Sequence, residues 1–409
     1  MGPMRAEYRW KSIGRFPIRS KQMSEPLVFA VWQPILTDHM VHTLLELRHV
    51  SNAQMSIYVC KYEDHIRKGQ GWTVVDTPSI KQEMLPTSRG IRYILEILRK
   101  HRSSIHLFGS PFEQPIMMLA LLLASLRGFQ VYLISEPYSP ISDGYFDDRK
   151  ETLDWIKGKL RPIIYHVYGL ILRKRIAGVF AISPRAVSQY QRIGIPTGKV
   201  FPFGYFVPVE FGKRIKPTIV EPANASLRMI FVGSLIRRKG LMKLIDSVRS
   251  LRDQGISISL DAYGPGNPDV FPFDDSFIRY AGVIPFGGAQ EVIARYDLLV
   301  LPSNYDGWGV VVNEAIMSGT PVVCSDKVGA GAIIKQHGCG IVFDDSNNKT
   351  LTEALKELAL DRAQLAAMKQ SALETRAVLS PIVAGQYILD SINSSRDQCD
   401  RPPCPWYSV

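Results

Sequence analysis

Between Leu298 and Cys324 the chain passes from an apolar segment through a glycine-rich turn into a helix-forming stretch, then back to an apolar segment. The turn reads Asn304-Tyr305-Asp306-Gly307-Trp308-Gly309, and the stretch after it begins Val310-Val311-Val312-Asn313-Glu314-Ala315. Strand, glycine turn and helix in that order form the repeating unit of a parallel α/β sheet. The helix N-terminus after such a turn leaves backbone N–H groups unpaired and able to face an anion. Asp306 and Glu314 bracket the turn. With the helix starting near Gly309, Asp306 lies in the loop and Glu314 about a turn and a half inside. One carboxylate can then accept from a sugar's hydroxyls and the other from a ribose, with phosphate between them. The plainer reading makes Asp306 a cap-region residue and Glu314 a surface acid, and leaves the Gly-Trp-Gly between them without a purpose.

The same alternation extends over the whole chain. Strand-like segments at 27–31, 55–60, 105–108, 130–135 and 179–182 alternate with helix-like segments at 37–48, 91–100, 114–127 and 184–193. Prolines at 208, 217 and 222 break the pattern between 206 and 227. It then restarts: strands at 229–232, 257–262, 278–281, 298–301, 322–324 and 340–343, helices at 241–252, 290–296, from 309, and at 351–358. A final helix at 381–393 pairs Val383 with Tyr387 and Ile388 with Ile392 at i, i+4. The expected fold class is α/β: two Rossmann-like domains with parallel sheets facing across a cleft. The expected boundaries are a basic segment 1–22, a first domain 23–206, a linker 207–226, a second domain 227–378, a last helix 379–395, and a tail 396–409.

At 409 residues, with 46% hydrophobic and 21% charged, the chain is long enough for two cores. Its five cysteines are scattered without metal-ligand spacing, which implies no disulfide framework, no structural zinc and a reducing compartment. No apolar run reaches the roughly 18–20 residues of a spanning helix, and residues 1–22 lack the apolar core of a signal peptide. The expected location is therefore cytoplasmic. The net charge of +11 is concentrated in residues 1–22 and 157–175, at +5 and +6. In the second segment, Lys157, Lys159 and Arg161 precede an apolar, tyrosine-containing run, and Arg173, Lys174 and Arg175 follow it. That arrangement suits docking on the cytoplasmic face of an anionic membrane, or a core helix with solvated ends. No nucleic-acid module accompanies the charge.

Three further motifs carry chemistry. Phe231-Val232-Gly233-Ser234-Leu235-Ile236-Arg237-Arg238-Lys239-Gly240 reads as a strand, a turn and cations opening a helix. Cations there oppose the helix dipole unless an anion is bound, so Arg238 and Lys239 are candidates to neutralise a diphosphate; the alternative is a solvated basic turn. Tyr263-Gly264-Pro265-Gly266 ends the next strand, where glycines allow a ligand to approach the backbone or simply form a tight turn. In the first domain, Asp38 and His39 open the first helix on the cleft side.

These motifs, together with Leu301-Pro302-Ser303 and Ser318-Gly319-Thr320-Pro321-Val322-Val323, follow the order found in the donor domain of retaining GT-B glycosyltransferases of family 4. The resemblance covers roughly residues 227–360; otherwise the chain resembles the family only in the alternation of its first half and in the closing helix 379–395, which in such enzymes returns to the first domain. It implies a transferase that takes a sugar from a nucleotide-diphosphate donor, with a UDP-sugar favoured, and passes it to an acceptor; the basic segments 1–22 and 157–175 point to a glycan or lipid-linked acceptor at a membrane, in surface polysaccharide synthesis. No metal or other cofactor is implied. Carried over by position, Arg238 and Lys239 hold the diphosphate, Glu314 binds the ribose, and Asp306 stands where the family has a glutamate against the donor sugar. Gly233, Gly264, Gly307, Trp308, Gly309 and Val310 supply backbone contacts to the donor, and the base is read near Val283. This sequence departs from the family pattern in three places. Asp306 is one methylene short, Ser234 replaces a frequent arginine, and Glu136 in Ser135-Glu136-Pro137-Tyr138 falls where the family often has a histidine. Glu136 is the candidate replacement on the catalytic side, with Asp38 and His39 on the acceptor side. A GDP-sugar transferase, a GT-B epimerase and a non-catalytic GT-B partner subunit stay open as alternatives.

Overall fold

A computed structural model describes residues 26–62, 80–85, 90–138, 151–209, 226–274, 276–345, 350–397 and 401–408. The basic segment 1–22, most of the linker and Cys399 lie outside the described residues. Two parallel sheets form. The first is ordered β3-β2-β1-β4-β5-β6-β7, from β1 (Val28–Gln33), β2 (Gln54–Val59), β3 (Lys81–Met84), β4 (Ile105–Gly109), β5 (Gln130–Ser135), β6 (Gly178–Ile182) and β7 (Val200–Phe203). The second is ordered β10-β9-β8-β11-β12-β13, from β8 (Leu227–Val232), β9 (Ile258–Tyr263), β10 (Ile278–Tyr280), β11 (Leu298–Leu301), β12 (Val322–Ser325) and β13 (Gly340–Phe343). In both orders the first strand of the domain sits centrally and the chain winds outward to each side of it. Loops at the C-terminal ends of the flanking strands then diverge and leave a crevice.

The central strands are uniformly buried, as the burial of β4, β6 and β11 illustrates. Strands covered by helices on both faces read as unbroken apolar runs for this reason. The helices are α1 (Asp38–Ser51), α2 (Gly90–Lys100), α3 (Pro115–Leu126), α4 (Glu151–Leu172), α5 (Pro184–Arg192), α6 (Leu241–Asp253), α7 (Ala289–Ile293), α8 (Val310–Ser318), α9 (Gly331–His337), α10 (Leu351–Leu360), α11 (Arg362–Thr375) and α12 (Pro381–Asp397). Four of the described elements were not expected from sequence. Edge strand β3 is short and polar, and β7 carries Pro202, which a sheet tolerates at its edge. Helix α9 is seven residues long with glycine at its first position, and α11 has little apolar periodicity.

One apolar cluster spans both sheets, joining Val31 and Leu44 to Leu299, Trp308 and Val312, and to Ile388 and Trp406. Helix α12 packs along α1 so closely that a Cβ on Gly385 would sit 2.6 Å from the backbone nitrogen of Leu47. Trp406 and Tyr407, in the segment read only as a tail, are buried at 0% and 2% exposure; Trp406 packs on Phe206 with ring centroids 4.5 Å apart.

Candidate active site

The turn at 304–309 is built by its backbone. Gly309 caps α8 at φ 89, and a Cβ there would lie 2.9 Å from Val328 Cγ1. The Asp306 N–H donates to the Lys327 carbonyl at 3.1 Å, and the Gly329 N–H donates to the Asp306 carbonyl at 3.1 Å. These bonds clamp the turn to the β12–α9 loop and set the direction of the Asp306 side chain. Lys239 Nζ donates to Asp306 Oδ2 at 2.6 Å, with both side chains largely buried. Arg238 Nη1 donates to the Tyr305 carbonyl at 2.6 Å. The two cations do not open a helix as expected. They occupy a 3-10 turn, Arg237–Lys239, and α6 begins only after Gly240, whose φ of 71 places it in the left-handed region. A Cβ on Gly240 would collide with the Pro302 carbonyl, so glycine there seats the cationic turn against β11's end.

Gly264 adopts φ 148, and a Cβ there would collide with the Gly233 carbonyl; the two turns therefore meet backbone to backbone. Val283 lies beyond them, 46% exposed. Glu314 is part-buried on α8, and Val310 starts that helix. Trp308 is 1% exposed: its indole Nε1 donates to Asn313 Oδ1 at 2.8 Å and its ring fills the space a Cβ on Gly204 would need. The side chain therefore joins the two domains, and only the Trp308 backbone borders the turn.

The first domain contributes side chains. Glu136, at the end of β5, lies against Gly307, where an added Cβ would collide with Glu136 Oε2. Tyr205 Oη donates to Glu136 Oε1 at 2.6 Å. The backbone carbonyl of Tyr205 in turn accepts from Asn313 Nδ2 of α8 at 2.9 Å. His39 packs on the Tyr205 ring at 4.1 Å between centroids and shares a hydrogen bond with Thr37 Oγ1 at 3.0 Å. Glu136 and His39, read separately in the sequence, thus meet through Tyr205. Asp38 is not part of that cluster; its carboxylate pairs with His42 one turn along α1 at 3.3 Å.

Sequence reasoning missed Tyr205, Asn313, Ser183 and Arg185. The available signal was position: Tyr205 and Ser183 follow the C-terminal ends of β7 and β6, where parallel sheets bind ligands. Pro202 hid β7. The Arg185 guanidinium lies 4.9 Å over the Tyr305 ring, whose hydroxyl donates to the Pro137 carbonyl at 3.2 Å. Burial drives the Tyr305 phenol above its ordinary pKa, with Arg185 opposing, so it stays a neutral donor. Among the described residues no group of three or more His, Cys, Asp or Glu side chains could hold a metal ion.

The profile of the family described as "Glycosyl transferases group 1" matches residues 216–375, less than half of the chain. TuaC of Bacillus subtilis, named for glycosyl transfer in teichuronic acid biosynthesis, is 26% identical over 182 residues, 43% of this chain and 45% of its own length. The alpha-D-kanosaminyltransferase of Streptomyces kanamyceticus is 23% identical over 243 residues, 55% of this chain and 59% of its own. The chain thus spans about half the length of these relatives. Solved structures align over far more of it. Sucrose-phosphate synthase from Thermosynechococcus elongatus covers 91% of the chain at TM-score 0.61 and 15% identity, over all of its own length. Anabaena HepE in complex with UDP covers 90% at TM-score 0.65 and 12% identity, again over its full length. The chain has the fold of GT-B glycosyltransferases, and the profile match supports a group 1 glycosyltransferase in its second domain.

Proposed function

We propose that the protein is a retaining glycosyltransferase that moves a sugar from a nucleotide-diphosphate donor to a glycan or lipid-linked acceptor. The observation that carries this reading is the meeting of Lys239, Asp306 and Gly307 from one domain with Glu136 from the other. In this reading Arg238, Lys239 and the N-terminus of α8 bear the charge of the departing diphosphate. Such donors, held in place before reaction and shielded from water, account for most of the barrier reduction in comparable chemistry. Lys239 also holds Asp306, so donor binding exchanges a carboxylate partner for a phosphate. Asp306 then accepts from the sugar's hydroxyls and Glu314 from the ribose. The acceptor hydroxyl's oxygen bonds to the anomeric carbon as the bond from that carbon to the diphosphate oxygen breaks on the same face, and the hydroxyl proton passes to the departing diphosphate. Closure of the cleft excludes water that would hydrolyse the donor. UDP is the favoured nucleotide, in keeping with the UDP complex of HepE. Surface polysaccharide assembly is the favoured setting, in keeping with TuaC's name.

Thermal shift against a panel of nucleoside diphosphates and their sugars tests the reading. One nucleotide should stabilise the wild type and neither Lys239→Ala nor Glu314→Ala. Stabilisation of the wild type by none would sink it.

The acceptor is proposed to lie at a membrane. On α4, Leu160, Ile163, Val167 and Leu170 recur at helical spacing and are 46–61% exposed, and exposed basic residues Lys159, Arg173, Lys174 and Arg175 flank them. Tyr165, Tyr168 and Leu172 on the other side of the helix pack into the first domain. Among the described residues no helix is long and apolar enough to cross a membrane. The ridge suits an interfacial position, with cations toward anionic headgroups. Lys157→Glu, Lys159→Glu and Arg161→Glu together should release the protein from anionic vesicles in a sedimentation assay; unchanged binding refutes the membrane reading and leaves the transferase reading intact.

A further inference from the structure

A cavity of 390 Å³ opens between the domains, with Asp306 and Gly307 on its wall. Its charged and polar walls come from the β6–α5 junction with Ser183 and Arg185, the turn with Asp306 and Gly307, and the β12–α9 region with Asp326, Lys327 and Lys335, with Ser408 of the C-terminal segment also on the lining. The volume lies toward the small end of the roughly 300–1,000 Å³ usual for ligand pockets, which suits a single sugar residue. The floor is tightly set. A Cβ on Gly329 would lie 2.7 Å from Ser183 Cβ and would collide with the Gly307 carbonyl, so the Ser183 side chain of the first domain packs against Gly329 and Gly307 of the second.

Ser183 is fully buried yet holds φ 92, ψ 156, a region that side chains rarely adopt. Such backbone costs about 1–3 kcal/mol and persists where the surroundings impose it. Here the Ser183 N–H donates to the Phe203 carbonyl at 3.1 Å, and its hydroxyl accepts from the Ala186 N–H at 3.4 Å. The arrangement turns the chain sharply and brings Arg185 to the cavity wall.

The charges do not cancel. Asp306 is paired with Lys239 and Asp326 with Lys327 at 2.7 Å, which satisfies both carboxylates on the wall. Arg185 is fixed over Tyr305, and Lys335 has no carboxylate partner among the described residues. Two cations therefore face a sugar-sized space next to the proposed transfer centre, one of them a guanidinium suited to bidentate contact with carboxylate or phosphate.

We propose that this cavity binds an anionic sugar residue of the acceptor, a uronic acid or a sugar phosphate, through Arg185 and Lys335. The proposal rests on the transferase reading for the word acceptor, whereas the binding itself does not. Because the walls belong to both domains, filling the cavity also favours the closed cleft.

Saturation-transfer NMR with D-glucuronate, glucose 6-phosphate and neutral glucose tests the assignment. At least one anionic sugar should give a signal several times that of glucose. That signal should fall at least fivefold in Arg185→Gln/Lys335→Gln and persist in Glu314→Ala, whose residue does not line the cavity. The stronger of the two anions identifies carboxylate or phosphate as the recognised group. Equal signals from all three sugars would overturn the proposal, as would an anion signal that survives the double substitution or vanishes in Glu314→Ala. Thermal shift of the double variant by nucleotide checks its fold. Nucleotide stabilisation without an anionic-sugar signal would remove this proposal and leave the donor reading; the reverse result would remove the donor reading alone.

Discussion

The two sides of the cleft are made differently. On the side of the second domain, the turn at 304–309 and the loops at 233–240 and 264–266 are shaped by backbone, with glycines where chains touch. On the side of the first domain, Glu136 is positioned by Tyr205, Tyr205 by Asn313, and Arg185 by the strained Ser183. A backbone-built wall admits few residue types at fixed spacing and leaves a trace in the sequence. A wall of side chains, each held by another from a distant segment, leaves almost none.

That contrast predicts graded damage. Lys239→Ala removes the cation shared by Asp306 and the proposed diphosphate, and should lower kcat/KM by a factor on the order of 10²–10³, as loss of a charge-stabilising donor does. Steady-state kinetics checks it. Gly307→Ala drives a methyl into Glu136 Oε2 and should cost on the order of 10²-fold, since small misplacements at a reacting centre are expensive. In a Glu136→Ala background the same glycine substitution should cost little more, which would show that the clash is the cause; an equal further loss there would assign the cost to the turn itself.

Tyr205→Phe takes one hydrogen bond from a carboxylate while keeping the ring against His39. About tenfold is expected, mostly in kcat, with the nucleotide thermal shift unchanged. A loss as large as that of Lys239→Ala would erase the distinction between the two walls.

The smallest effect at neutral pH concerns the first domain's core. There His106 Nδ1 accepts from Trp32 Nε1 at 3.2 Å and Nε2 meets the His101 carbonyl at 3.0 Å. Burial pulls the His106 pKa down to about 4 from 6.5. The unfolded chain therefore takes up a proton near pH 6.5 that the folded chain refuses until about pH 4, and stability falls as pH drops through that window. Roughly 2 kcal/mol should be lost by pH 5. Denaturation of wild type and His106→Gln at pH 7 and pH 5 measures it: the pH-dependent part should shrink in the variant.

How much was legible follows the same division. The two sheets could be read because buried parallel strands are continuous apolar runs and the proline breaks fall between them. The β8 turn and the 304–315 stretch were visible as glycines and charges at fixed distances, and they bring Lys239 and Asp306 within 2.6 Å. Tyr205 was not visible, because its partners lie 69 and 108 residues away. Nor was Ser183, because nothing in a serine announces a positive φ. Trp308 was read for its backbone alone, and its indole serves the domain junction. Trp406 and Tyr407 looked like loose chain, although both insert into the shared cluster.

The return of α12 to α1 has a mechanical consequence. The chain passes between the sheets once between β7 and β8, and again between α11 and α12, where Gly385 seats against α1's backbone. A single tether acts as a ball joint, free to swing and twist. Two tethers act as the paired pins of a door, and rotation about the line through them is the motion that strains neither. Any opening of the cleft should follow that arc, and the return stroke should bring Glu136 back against Gly307.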